Sequence, residues 1–198
     1  MNNVIAEIID DESNENILVY ESHYYFSDTL SERGLNVYKS QLFNSFSPGE
    51  KEIDAALINI NLSLSENSDP ILKISEVLTN VINLNKVYVL ISSNNQNNKI
   101  LINLRSAITI KFLEKKIKFF LSNKPSFRKC ETQHILKHNN KVQQILPRNL
   151  IKFFYRRSWK IKSGSFIHNL LKWFKFILIK FSLIPFSNDI LIVFEYEK

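Results

Sequence analysis

The segment Ile53 to Asn95 constrains the fold more than any other part of the chain. It runs IDAALINI, NLSLSENSDP, ILKISEVLTNVINLNK and VYVLISSNN, which reads as strand, loop, helix, strand. Ala55 to Ile60 is an apolar run of strand length. Asp69-Pro70 predicts a helix start, Asp capping free N–H groups and Pro pre-set for the first turn. Ile71, Ile74, Leu78 and Val81 then recur at helical spacing. Val87 to Ile91 is apolar and β-branched without polar alternation, so both faces of that strand are expected to be covered. This is the habit of parallel strands in an α/β sheet. Ser92, Ser93, Asn94 and Asn95 crowd its end, where open α/β sheets place their ligands.

On these residues the chain resembles the small class I S-adenosylmethionine (SAM) dependent methyltransferases. Their middle reads roughly "FDxVxxxxxLEHxxDP", then a helix, a glycine-containing turn, a strand and "PN". The matching residues are Ile53-Asp54, Leu64 to Pro70 and Ser93-Asn94. Glu66 stands at the family histidine, Leu84-Asn85 at the turn glycines and Ser93 at the proline of "PN". Further on, PRNLIKFFYRRSWKIKSGSF is similar to the family's "sxxxLxxLLxxAGFxV" element, and NDILIVFEYEK to its closing strand. The resemblance implies a three-layer Rossmann-like α/β sandwich of about six mostly parallel strands, with one family strand lost. If SAM binds, it implies Glu21, Asp54, Asn59 and Asn94 as the cofactor residues, with His23 and His134 as candidate bases.

The glycine-rich turn with which that family holds SAM is missing. Glycine there lets the backbone approach the ligand without a Cβ and allows positive φ. The three glycines are Gly34, Gly49 and Gly164, and the first strand is followed by Glu21-Ser22-His23-Tyr24-Tyr25-Phe26. Rings in this stretch are expected to fill the methionine end of the pocket. Two alignments compete. In one, ILVYES is the family's first strand, LNVYKSQ its second, and its third strand is deleted. In the other, ILVYE is the second strand and Glu21 the ribose-binding acid. The second is the better string match, but it deletes the central strand of a sheet ordered 3-2-1-4-5-7-6. Losing an edge strand leaves every interior ladder paired, so the first is preferred.

Elsewhere the chain reads as one domain over 1–198, with an N-terminal helix or tail at 1–16 and basic or apolar insertions at 100–146 and 168–186. Further strands are expected at Ile17 to Tyr20, Leu35 to Lys39 and Ile190 to Tyr196, and helices at Phe26 to Arg33 and Ile100 to Ser122. Asn123 to Gln144 reads as irregular, Pro147 as opening a helix through Arg157, and Lys160 to Ile167 as a strand. A single cysteine, Cys130, excludes an intrachain disulfide and reads as an inert thiol although Arg128 and Lys129 adjoin it. His134 and His138 have the spacing of two ligands on a helix. Their polar surroundings favour a surface loop or helix edge, and no metal is expected. His168 offers nothing.

Net charge is +7, and it is unevenly spread. Residues 1–99 hold 14 acidic and 6 basic residues, a balance of −8; residues 100–198 hold 5 and 20, a balance of +15. Either the two halves partly neutralise each other, or the basic half meets an anionic membrane surface or an acidic protein. Leu170 to Phe186 is too short and too Lys-studded to span a bilayer. It reads either as a buried helix whose lysines reach solvent or as an interfacial one. No nucleic-acid motif occurs, and nucleic acid is not expected as a partner. The N-terminus lacks a signal pattern, which points to the cytoplasm, with peripheral membrane association as a variant. The functional expectation is a methyltransferase-like pseudoenzyme that binds no cofactor and serves as a binding or scaffolding protein. The alternative is an active enzyme methylating a sugar, lipid-linked or other small substrate with SAM.

Overall fold

The computed structural model describes residues 2–10, 15–20, 25–39, 53–62, 71–72, 74–75, 84–93, 100–138, 141–147, 166–181, 183, 187 and 189–197. Within them lie helices α1 (Asn2–Asp10), α2 (Tyr25–Glu32), α3 (Ile100–Ser122) and α4 (Phe166–Lys180). The strands are β1 (Asn16–Tyr20), β2 (Asn36–Lys39), β3 (Ala55–Asn61), β4 (Lys86–Ser92), β5 (Phe127–His138), β6 (Lys141–Pro147) and β7 (Ile190–Tyr196). Residues 71–72 and 74–75 are helical, and Ile74 is fully buried.

The strands form one sheet in the order β2-β1-β3-β4-β7-β5-β6. β2, β1, β3 and β4 are parallel; β7 is antiparallel to both β4 and β5, and β6 to β5. Five of the seven strands therefore point one way, and β7 and β6 run against them. Ile17 lies opposite Ala55 on one side and Val37 on the other, so β1 is interior and β2 is its outer neighbour. This is the arrangement of the first alignment. Among the described residues no strand lies beyond β2.

Strand alternation splits the core into two layers. On one face, Ile17 and Val19 of β1, Leu57 of β3 and Leu90 of β4 pack with Ile5 and Ile9 of α1 and Phe26 and Leu30 of α2. On the other, Leu18, Ile58 and Val89 pack with Ile74 and with Ile110, Leu113, Ile117 and Leu121 of α3. The α3 residues recur at three and four, the spacing that puts one helical stripe on a sheet. The connection from α2 to β2 closes as a Schellman motif. Gly34 sits at φ +88°, its N–H donates to Ser31 O (3.0 Å), and Leu35 N–H donates to Leu30 O (3.3 Å).

Three expectations require correction. The stretch 123–144, read as irregular, is mostly sheet: β5 and β6 form an antiparallel hairpin, so that seven strands lie among the described residues. Pro147 ends β6 opposite Gln133 instead of opening a helix; the rest of that expected helix lies outside the described residues. Phe166 and Ile167, expected at the end of a strand, begin α4.

Candidate active-site edge

Parallel strands that share one direction present their carboxyl ends along one edge, and ligands of open α/β sheets bind there. In this molecule that edge consists of Tyr20 of β1, Asn59 to Asn61 of β3, Ser92 at the end of β4 and Ser93 after it. The start of β7 and His134 of β5 adjoin it, because β7 runs the other way and pairs Ile190 with both Ile91 and His134.

The described groups at this edge are largely committed to one another. Leu62 N–H donates to Ser92 O (2.9 Å), tying the end of β3 to β4. Ser93 N–H donates to the Asp189 carboxylate (3.2 Å), and both residues are buried. Asp189 also carries the junction to β5, since its carbonyl accepts the N–H of Ile135 (3.0 Å). Ser187 Oγ donates to Ile135 O and accepts the N–H of Asp189. Asn59 differs. It shares the α1/α2 side of the sheet with Leu57, and its Oδ1 is buried without a hydrogen-bond donor among the described groups.

Beyond Tyr20, at this same edge, the next described residue is Tyr25, where α2 opens. Phe26, in the first turn, is 2% exposed and belongs to the same apolar cluster as Val19, Leu57 and Leu90. Its ring therefore fills space over β1 and β3 on the face that Asn59 shares.

The sequence-derived candidates separate in space. Asp54 precedes β3, at the amino-terminal edge and the far end of the strand from Asn61. Its Oδ2 accepts the N–H groups of Glu15 (3.2 Å) and Asn16 (3.0 Å), and its own N–H donates to Asn16 O (2.9 Å). Its carbonyl accepts from Asn85 (3.0 Å) and Lys86 (3.3 Å), so Asp54 joins β1, β3 and β4 where they begin. Asp54→Ala is accordingly expected to cost about 2 kcal/mol of stability, read from urea melts, with Asp54→Asn recovering part of it.

His134 is 4% exposed and lies on the interior strand β5 beside the candidate edge, not in a surface loop or on a helix edge. Four residues along a strand separate its Cα from that of His138 by ~13 Å, too far for two ligands of one ion. Among the described residues no three His, Cys, Asp or Glu side chains come together. Glu21, His23 and Asn94 lie outside the described residues. Burial pushes the Cys130 thiol above its usual range, and the Glu114 and Glu131 carboxylates add to this against Lys118, so neighbouring Arg128 and Lys129 do not activate it. Sequence reasoning missed Asp189, because a lone Asp before an apolar strand carries no motif.

A concavity lies at the opposite edge. It has a volume of about 420 Å3 and is lined by Asn85, Lys86, Arg128, Glu195, Tyr196 and Glu197. Arg128 pairs there with Glu197 at 3.2 Å, both well exposed.

A SAM-dependent methyltransferase from Archaeoglobus fulgidus superposes with a TM-score of 0.50, covering 98% of this chain and 94% of that one at 16% identity. With the strand order above, this decides the architecture. The fold is that of the class I methyltransferases. Two further structures align with lower scores. The plantazolicin methyltransferase in complex with SAH gives 0.47, at 9% identity over 99% of this chain and 82% of that one. A possible histamine N-methyltransferase from Thermotoga maritima gives 0.43, at 11% identity over 99% and 88%. At such identities the likeness is one of fold. No family model and no curated protein matches the sequence. Against the class I order 3-2-1-4-5-7-6, β2 to β7 and β5 take the places 2-1-4-5-7-6, and β6 is an added edge strand.

Proposed function

We propose that this methyltransferase-like protein does not turn over SAM and acts as a non-catalytic binding or scaffolding protein. The observation that carries the reading is the passage from β1 into α2. No glycine occurs between Tyr20 and Tyr25, and the first turn of α2 is anchored by a ring buried in the core. A SAM methionine moiety in this fold needs backbone to approach it closely just after the first strand. Two further commitments support the same reading. The Ser93 N–H is held by Asp189, and the Asp54 carboxylate caps the start of β1. Asn59 is the described polar group that a ligand at this edge would satisfy.

Isothermal titration of the purified chain with SAM and with SAH tests this. No saturable heat is expected from either. A Kd in the micromolar range would overturn the reading and support the active enzyme. In that case Glu21, Asn59 and Asn94 become the residues to replace, with Asn59→Ala expected to weaken binding.

A further inference from the structure

The last helix of the described chain presents its apolar side outward. On α4 and the turn after it, Phe166, Ile167, Leu170, Trp173, Phe174 and Phe181 are all large, apolar and between 47% and 81% exposed. At 100° per residue these six fall within about a third of the helix circumference, so they form one stripe rather than scattered contacts. Lys175 lies on the opposite side of the helix. It is half-buried, and burial lowers its pKa. Lys175, the α4 lysine whose side chain is described, and the exposed rings both speak against the buried-helix alternative. An apolar stripe of this kind on a protein surface marks an interaction site.

α3, which touches α4, adds a second surface of mixed character. Opposite its sheet-facing stripe, Ile108 (53% exposed), Phe112 (65%) and Phe119 (72%) alternate with the exposed cations Arg105, Lys115 and Lys116. The sole acid of α3, Glu114, is turned inward and held by Lys111 and Lys118. The outer surface of α3 thus combines exposed rings with exposed positive charge, in the half of the chain that carries +15.

We infer that the α3/α4 flank docks on an anionic lipid surface, with the α4 stripe in the headgroup–acyl boundary and the α3 cations against lipid phosphates. Charge complementarity selects this occupant. A patch of aromatic residues bordered by lysines and lacking exposed acid suits an interface where rings are buried and ammonium groups stay wet. Among the described residues no helix is long and apolar enough to cross a membrane, so the helices would lie in the plane of the surface. The inference names a partner for the binding role proposed above, but it concerns another face and holds whether or not SAM binds.

Cosedimentation of the full chain with phosphatidylcholine vesicles, with and without phosphatidylserine, at low and high salt provides the test. Binding is expected only with phosphatidylserine, and it should weaken as salt rises. Lys115→Glu/Lys116→Glu is expected to lower it by about tenfold. Trp173→Glu/Phe174→Glu should abolish it, with an unchanged circular dichroism spectrum showing that the fold is intact. Equal binding to both vesicle types, or binding to neither, overturns the inference. So does self-association without vesicles that Trp173→Glu/Phe174→Glu removes, which would assign the stripe to a second copy. None of these arms contains SAM, so their failure leaves the cofactor reading standing.

Discussion

Val19→Asp is expected to unfold the protein, while Val37→Asp, two strand positions from it in the same layer, is expected to leave it folded. Val19 is 1% exposed, on a strand paired on both sides, with α1 and α2 packed over it. The cation registered against it, Lys39, is already paired with Asp28, and a carboxylate there cannot reach water. Its burial costs several kcal/mol, a large part of the total stability of an ordinary domain. Val37 is half-buried on the outer neighbour β2 and packs at the margin of the same cluster. An aspartate there can turn toward solvent, so about 1–2 kcal/mol is expected from lost apolar contact. Urea denaturation read by tryptophan fluorescence gives both numbers. Comparable losses would mean that β2 is as deeply enclosed as β1, against the sheet order described here.

That ranking also shows how far the sequence alone could go. The runs 55–60 and 87–91 were legible as buried parallel strands because both their faces are covered, which leaves no polar alternation to confuse the signal. The choice between two alignments was open to a physical argument about unpaired ladders, and the order β2-β1-β3 agrees with it. The β5–β6 hairpin was not legible, because its polarity has tertiary causes. Thr132 of β5 donates to the Glu114 carboxylate across the helix–sheet interface (3.1 Å), so a polar side chain is satisfied where a strand pattern calls for an apolar one. His134 similarly sits buried, between half-buried Gln133 and fully buried Ile135, where the sequence pattern alone reads as polar.

The candidate edge was legible in part. Its location follows from strand direction, and Asn59 lies there. Asp54 matched a family motif by position, yet the carboxylate works at the other end of the strand as a backbone acceptor. A motif string does not say which end of a strand a side chain serves. Which way the apolar side of α4 faces stayed open between two readings. An apolar helix reads the same in sequence whether its apolar side faces a sheet or solvent, and only the positions of α3 and the sheet decide between them.

Glu114→Gln is expected to destabilise the protein by about 3 kcal/mol and to flatten its acid unfolding profile. Glu114 is 2% exposed, and its carboxylate accepts from Lys111 Nζ (2.6 Å), Lys118 Nζ (2.8 Å) and Thr132 Oγ1. Burial alone would push its pKa upward. The hydrogen bonds and charges of the two lysines outweigh that and hold the carboxyl down at about 2. Because the folded pKa lies below the unfolded one, the group's contribution to stability is full above the usual carboxylate range. It is lost as pH falls from about 4.5 through about 2. Integrated over that window the contribution is on the order of 3 kcal/mol. A glutamine keeps the shape but leaves two ammonium groups without a counter-charge. Lys118 is partly exposed and can swing to water, whereas Lys111, at 11% side-chain exposure, cannot do so readily. Most of the loss should therefore trace to Lys111, and adding Lys111→Met to Glu114→Gln should recover more than adding Lys118→Met. Urea melts at neutral pH and near pH 3 provide the readout. A wild-type stability that does not fall between these two pH values more steeply than that of Glu114→Gln would show that this buried carboxylate is not what ties α3 to the sheet.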